Sequence, residues 1–264
     1  MDVENALKIS PLSALDAEVL LAAVLEKDRS WLCAHSEYCL AEQEATLFEG
    51  YTRRRMHSEP VAYILEKQEF YGREFIVTSD VLIPRSSTEG LIDAARIFIN
   101  DRNDSRKEID TDIVALVISL GDKPITTLVD VCTGSGCIAI TLALEVPEKR
   151  IIATDISAKA LIIARKNAEK HKALDKIEFR EGNLLEPIIK LEEPFLIVSN
   201  PPYVPDGETP MGDVYEYEPH LALFAGEEGV DLLAEIYAKA KSHPYCQGII
   251  LECRNEQVDK LLAK

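Results

Sequence analysis

The sequence predicts an α/β protein: a doubly wound, mostly parallel β-sheet, preceded by a small helical region and a β-hairpin. Three observations carry this reading. From Thr127 onward, short apolar runs alternate with stretches of helical periodicity, the pattern of parallel strands covered by helices on both faces. Residues 1–60 instead place apolar side chains at three- and four-residue spacing throughout. Between the two, residues 61–77 alternate apolar and polar side chains around Tyr71-Gly72-Arg73, a turn signal. The expected organisation is a helical region over 1–60, a hairpin linker over 61–80 and the sheet domain over 81–264.

Ser13, followed by Asp16 and Glu18, has the form of a capped helix start with acidic first-turn residues. Behind it Leu20, Leu21, Val24 and Leu25 make one apolar stripe. A second helix is predicted over 37–56, with Leu40, Leu47, Phe48 and Tyr51 inward. Arg53-Arg54-Arg55 would complement its C-terminal dipole. Pro60 closes this region. Val61, Tyr63 and Leu65, then Phe70, then Phe75 and Val77 predict the strands of the hairpin. Thr88-Glu89 opens a helix running to about Asn100, and the polar stretch 101–110 is expected to be a solvated loop. Strands follow at 128–131, 151–155, 177–180, 195–199 and 249–252, with helices at 137–145, 157–172 and 230–241.

At 264 residues, with 47% hydrophobic and 28% charged side chains, the chain has the composition of a soluble globular protein. The N-terminus lacks a basic segment followed by an apolar one, and no apolar run reaches the roughly 18–20 residues of a membrane span. A cytoplasmic protein without membrane contact is expected. Cys33, Cys39, Cys132, Cys137, Cys246 and Cys253 form no CxxC pair, and the histidines are dispersed, which suggests neither a metal site nor a disulfide framework. A formal net charge of −17 repels phosphate backbones and argues against nucleic acid as the direct substrate.

The chemistry concentrates in two places. Asp130-Val131-Cys132-Thr133-Gly134-Ser135-Gly136 lies between a strand and a helix, where glycines allow close approach of a ligand to helix N–H groups. Asp155, at the end of the next strand, can accept both hydroxyls of a ribose. Alone, this pair fits NAD, S-adenosylmethionine or a nucleotide equally. The second place is Asn200-Pro201-Pro202-Tyr203, directly after the strand 195–199. Two prolines end the strand in a stiff loop at the sheet's carboxyl edge, where open α/β sheets bind ligands. There the Asn200 oxygen and a backbone carbonyl can accept both hydrogens of an NH2 group, with Tyr203 stacked on the planar group that carries it. Such acceptors pull a delocalised nitrogen towards tetrahedral geometry and aim its lone pair at an activated methyl. The loop Pro84-Arg85-Ser86-Ser87-Thr88-Glu89 either folds over the cofactor or simply caps a helix. Asn183 either bonds an adenine or shapes a turn.

With these residues in view, the chain resembles the peptide-chain-release-factor glutamine N5-methyltransferases almost end to end. The likeness runs through Asp16-Ala17-Glu18-Val19-Leu20-Leu21, Thr52-Arg53-Arg54-Arg55 and Glu59-Pro60-Val61-Ala62-Tyr63-Ile64. It continues in Glu69-Phe70-Tyr71-Gly72, Leu82-Ile83-Pro84-Arg85 with Thr88-Glu89, the glycine-rich loop and Val198-Ser199-Asn200-Pro201-Pro202-Tyr203. The resemblance implies a Rossmann-like methyltransferase sheet that uses S-adenosyl-L-methionine to methylate the glutamine of a Gly-Gly-Gln loop. The partner it implies is a release factor, docked on the helical head and hairpin. It assigns cofactor contacts to Cys132, Thr133, Gly134, Ser135, Gly136, Asp155, Asn183, Leu184 and Asn200. Substrate contacts fall to Asn200, Pro201, Pro202 and Tyr203, the catalytic corner, with Arg85 and Glu89.

The chain departs from the family pattern at several places. Cys132 and Glu66 stand where the family has glycine, and Ser86-Ser87 where it has Pro-Glu or Pro-Asp. Cys253-Arg254-Asn255 replaces a small turn, and Lys264 precedes the family's last strand. Three rivals remain open: an adenine-N6 methyltransferase, a non-catalytic module of the same fold and a nicotinamide dehydrogenase. The dehydrogenase gives Asn-Pro-Pro-Tyr no role.

Overall fold

The computed structural model describes residues 1–100, 113–210 and 212–263, so the loop expected over 101–110 lies outside the described residues. The chain forms two compact units, one of Met1–Lys67 with Pro210–Tyr217, the other of Gln68–Thr209 with Glu218–Lys264. In chain order come α1 (Val3–Ile9), α2 (Ala14–Val24), α3 (Arg29–Ala34), α4 (Glu42–Met56) and α5 (Val61–Ile64). The hairpin strands β1 (Lys67–Phe70) and β2 (Arg73–Ile76) precede a 3-10 turn (Ser86–Thr88) and α6 (Glu89–Asn100). Then follow β3 (Ile113–Ser119), β4 (Thr127–Val131), α7 (Cys137–Glu145), β5 (Arg150–Asp155), α8 (Ala158–Lys170), β6 (Ile177–Glu181) and β7 (Phe195–Ser199). Last are α9 (Gly212–Tyr217), α10 (Asp231–Ser242), β8 (Cys246–Arg254) and α11 (Asn255–Leu262).

In the first unit, Ser13 caps α2 by accepting the Asp16 amide at 3.1 Å, as its sequence implies. Leu20 and Leu21 are fully buried and pack with Val3, Leu32, Phe48 and Ile64. Leu47, expected inward, is exposed: successive residues lie about 100° apart on a helix, and Phe48 takes the buried position. Two arginines of the basic triplet are paired within this unit, Arg54 with Glu59 at 2.5 Å and Arg55 with Asp16 at 2.9 Å. Residues 61–65, read as a strand, instead make the single turn α5. Pro60 sits at its N-cap with φ −57°, and its carbonyl accepts the Tyr63 and Ile64 amides. A proline's fixed φ favours a helix start, and here it outweighs the alternating pattern.

In the second unit, the main sheet of the described residues has the order β3-β8-β7-β4-β5-β6, parallel except for β3. Alternate side chains of each strand enter opposite layers, as a two-residue side-chain period requires. Leu128, Leu196 and Ile250 meet α6, α7 and α8, whereas Val129, Ile197, Ile249 and Leu251 meet α10 and α11. The hairpin contributes Phe70 and Phe75, both fully buried, to the first layer. The sequence pattern does not predict the strand β3. It pairs antiparallel with the outer edge of β8, from Ile113 opposite Arg254 to Ser119 opposite Gly248. Its run Ile-Val-Ala-Leu-Val-Ile carries the β-branched signal, but it stands outside the strand–helix alternation that organised the reading.

Glu66, one of the positions where the family has glycine, is exposed and has φ 54°. A left-handed backbone costs an L residue about 1–2 kcal/mol, and glycine's extra unfolded-state freedom offsets about 0.5–1 kcal/mol of the relief. Glu66→Gly is therefore expected to stabilise the chain by up to about 1 kcal/mol, read as a higher denaturation midpoint. An unchanged or lower midpoint would show that this turn carries no strain.

Candidate functional site

The site forms where β4, β5 and β7 end side by side. Val131 pairs in register with Thr154 and with Ser199, and the Ser199 hydroxyl donates to the Val131 carbonyl at 2.5 Å. Beyond β4 the chain turns sharply: Cys132 has φ 60°, Gly134 54° and Gly136 82°. A Cβ on Gly136 would stand 3.1 Å from the Ala164 Cβ, so α8 packs there only against glycine. A Cβ on Gly134 would meet nothing within 4 Å; that side of the turn is open space for a ligand.

Two buried groups hold the turn. Asp130 is fully buried, and its Oδ2 accepts the Thr133 hydroxyl at 2.5 Å and the Ala139 amide at 3.0 Å, while its Oδ1 has no partner. Burial pushes its carboxyl up to about 7. Asn167, buried in α8, donates to the Ser135 carbonyl at 2.9 Å and exchanges hydrogen bonds with the Ile76 backbone. One amide thus ties the glycine turn to the hairpin. Asp155 ends β5, its Oδ2 accepting the Gly134 amide at 2.9 Å and its Oδ1 the Ser157 amide at 2.8 Å. Each carboxylate oxygen keeps a second lone pair for a diol. Burial raises its pKa, opposed by those amides.

At the end of β7, Asn200 Nδ2 donates to the Thr88 hydroxyl oxygen at 3.0 Å. The Tyr203 hydroxyl donates to Glu252 Oε1 at 3.1 Å, and its carbonyl accepts Gln257 Nε2 at 2.8 Å. Burial first, and the Glu252 carboxylate second, push the phenol upward, so the hydroxyl stays protonated.

A cleft joins the glycine turn, Asp155, Thr88 and Asn200. Of the residues named from sequence, Cys132, Thr133, Gly134, Ser135, Asp155, Asn200 and Pro202 line it. Gly136, Pro201 and Tyr203 do not line it, although Pro201 falls between Asn200 and Pro202, which do. Asn183 and Leu184 do not line it: Leu184 is buried in the core beneath α10, and the Asn183 carbonyl closes a turn onto the Glu186 amide. Neither Arg85 nor Glu89 lines the cleft: Arg85 is paired with the buried Glu218, and the Glu89 carboxylate accepts the Tyr71 amide at 2.8 Å. From the loop expected either to fold over the cofactor or to cap a helix, Pro84 and Thr88 line the cleft, whereas Asn167 and Glu252, which no sequence motif marks, support it from outside that lining. Burial, then Asp155 and Asp130, raise the Cys132 thiol, which faces the cleft as a neutral group rather than a nucleophile. Among the described residues no His, Cys, Asp and Glu cluster could hold a metal ion, and no helix is long and apolar enough to cross a membrane.

A parallel sheet with a ligand cleft at its carboxyl edge, walled by a glycine turn, an acidic strand end and an Asn-Pro-Pro-Tyr corner, defines a Rossmann-like methyltransferase domain. Comparison with known proteins agrees. Residues 2–65 match the PrmC N-terminal domain and residues 98–214 the methyltransferase small domain. The release factor glutamine methyltransferase of Koribacter versatilis is 38% identical over 89% of this chain and 76% of its own length. That of Clostridium acetobutylicum is 35% identical over 86% and 73%. The chain belongs to the release factor glutamine methyltransferase family. It also matches the bifunctional methyltransferase of Rickettsia bellii at 38% identity over 94% of its length, and spans about half (46%) of that protein. Among solved structures, the hMettl16 catalytic domain in complex with a MAT2A 3'UTR hairpin shares the fold (TM-score 0.52, 13% identity, 83% of this chain and 71% of that one).

Asp130 gives the stability a pH signature. Its folded pKa lies above the unfolded value of about 3.9, so the stability it contributes is complete below that value and is lost as pH rises through about 7. Asp130→Asn should flatten the fall in melting temperature between pH 4 and 8. A variant as steep as the parent would assign the slope to other groups.

Proposed function

We propose that this chain transfers the methyl group of S-adenosylmethionine to the side-chain amide nitrogen (N5) of the glutamine in the Gly-Gly-Gln loop of peptide chain release factors, in the cytoplasm. The observation that carries this is Asn200: with Nδ2 bonded to Thr88, its Oδ1 is left as an acceptor on a cleft shared with the glycine turn and Asp155.

The residues present fit the cofactor. Gly134 leaves open space, Asp155 offers two oxygens to a ribose, and Ile156 beside it gives the cleft an apolar wall for a flat base. When bound, S-adenosylmethionine supplies an electrophilic methyl on a sulfonium. The chain's own part is positioning. Asn200 Oδ1 and the Pro201 carbonyl accept the two amide hydrogens of glutamine, which draws the nitrogen lone pair out of conjugation. Pro201 and Pro202 keep that corner stiff, so no general base is needed to orient the nitrogen, and the proton that the methylated nitrogen must shed passes to water at the mouth of the cleft. The helices α1–α5 and the hairpin of β1 and β2 are assigned to docking the release factor, supported by the N-terminal domain match and by relatives named for release factor methylation. The net charge of −17 weighs against nucleic acid as the direct substrate.

Labelled-methyl transfer to a purified release factor, against the same factor with its loop glutamine changed to alanine, tests the reaction. Asn200→Ala should lower turnover by about a hundredfold or more while cofactor affinity stays within a few-fold. Near-normal turnover would refute the role of Asn200. Asp155→Ala should weaken S-adenosylmethionine binding by about 1.5–3 kcal/mol, the worth of hydrogen bonds to a charged group. An unchanged dissociation constant in calorimetry would remove Asp155 from the site.

A further inference from the structure

An asparagine amide has two faces that differ only in which atom they present. Asn200 serves as an acceptor for a substrate N–H only if its oxygen, not its nitrogen, is turned to the cleft. Its nitrogen donates to Thr88 Oγ1 at 3.0 Å. A threonine hydroxyl can be donor or acceptor, so this bond has a defined direction only if the hydroxyl proton is claimed elsewhere.

The group beside it is Glu252. It sits near the carboxyl end of β8 and is 1% exposed. Its Oε1 accepts the Tyr203 hydroxyl at 3.1 Å, and its Oε2 has no hydrogen-bond partner. The Thr88 and Ser87 hydroxyls, with Arg85, lie close enough to oppose the rise that burial imposes on the carboxyl. A carboxylate is acceptor-only, so next to it the Thr88 proton has one favourable direction, towards Oε2. Thr88 is then left with lone pairs for Asn200.

Resting on the reading of Asn200 above, we infer that Glu252 is a positioning residue: it orients the Thr88 hydroxyl, which holds the Asn200 amide with its oxygen facing the substrate nitrogen. The same carboxylate anchors Tyr203, so both ends of the Asn200–Tyr203 corner are referred to one acceptor. Glu252→Gln preserves size but brings an NH2 donor to Thr88. The hydroxyl proton then turns to Asn200, and the amide must rotate to meet it with oxygen, offering NH2 to the cleft.

The test measures kcat, cofactor affinity and the Asn200 side-chain amide resonances together. Glu252→Gln should lower kcat by about a hundredfold with S-adenosylmethionine affinity within about twofold, and should shift the Asn200 NH2 resonances in the substrate-free protein. Thr88→Val should lower kcat similarly, Thr88→Ser should restore most of it, and Glu252→Gln with Thr88→Val should be no worse than either alone, because both act through Asn200. If the parent methylates no release factor yet the resonances shift, the proposed reaction fails while the positioning role stands. If the parent is active and Glu252→Gln keeps both its kcat and its Asn200 resonances, the inference is overturned.

Discussion

One hydrogen bond, from the Asn200 amide to the Thr88 hydroxyl, decides what the cleft can recognise. It joins the loop that opens α6 to the corner that ends β7, and so fixes an acceptor beside the glycine turn. The rest of the second unit serves to hold those two segments in reach. The parallel register of β4 with β5 and β7 brings their ends level, and Ser199 ties β7 to β4 through the Val131 carbonyl. Gln257 in α11 holds the Tyr203 carbonyl, and Asn167 in α8 holds the carbonyl of Ser135. Neighbouring elements thus each contribute one directional contact, the kind of support that keeps a reactive geometry within a fraction of an ångström.

That support is bought with unfavourable burial. Asp130, Asp155 and Glu252 are carboxyl groups placed where desolvation raises their pKa, and one oxygen each of Asp130 and Glu252 has no partner. A sheet selected for stability alone would place apolar side chains there. Cys132 and Glu66 add left-handed backbone without glycine. Left-handed backbone at Cys132 and buried carboxyl groups gathered around one cleft are what a site selected for geometry leaves behind.

The sheet was legible in the sequence because its parallel strands are continuous apolar runs separated by helices of ordinary length. The termini of α7 and β7 fall where the pattern puts them. The glycine turn, Asp155 and Asn200 were legible because each sits a fixed distance from a strand end, a local signal. Asn167 and Glu252 were not, and Thr88 was legible only as part of a loop or helix cap and not as the partner of Asn200, since these partners are remote: Thr88 lies 112 positions from Asn200, Asn167 lies 91 from Ile76, and Glu252 lies 49 from Tyr203. No local pattern distinguishes them from a helix cap, a helix-surface amide or a strand-end acid. Arg85 and Glu89 illustrate the converse. Their place in a shared motif drew attention to them, and the fold occupies them with Glu218 and the Tyr71 amide.

The most direct measurement is a crystal structure of this chain with S-adenosylhomocysteine and a peptide carrying Gly-Gly-Gln. The glutamine nitrogen is expected within about 3 Å of Asn200 Oδ1, its open side towards the sulfur, with Asn200 Nδ2 still on Thr88. A glutamine bound with its nitrogen turned away from Asn200, or a cofactor seated outside the cleft of Gly134 and Asp155, would contradict it.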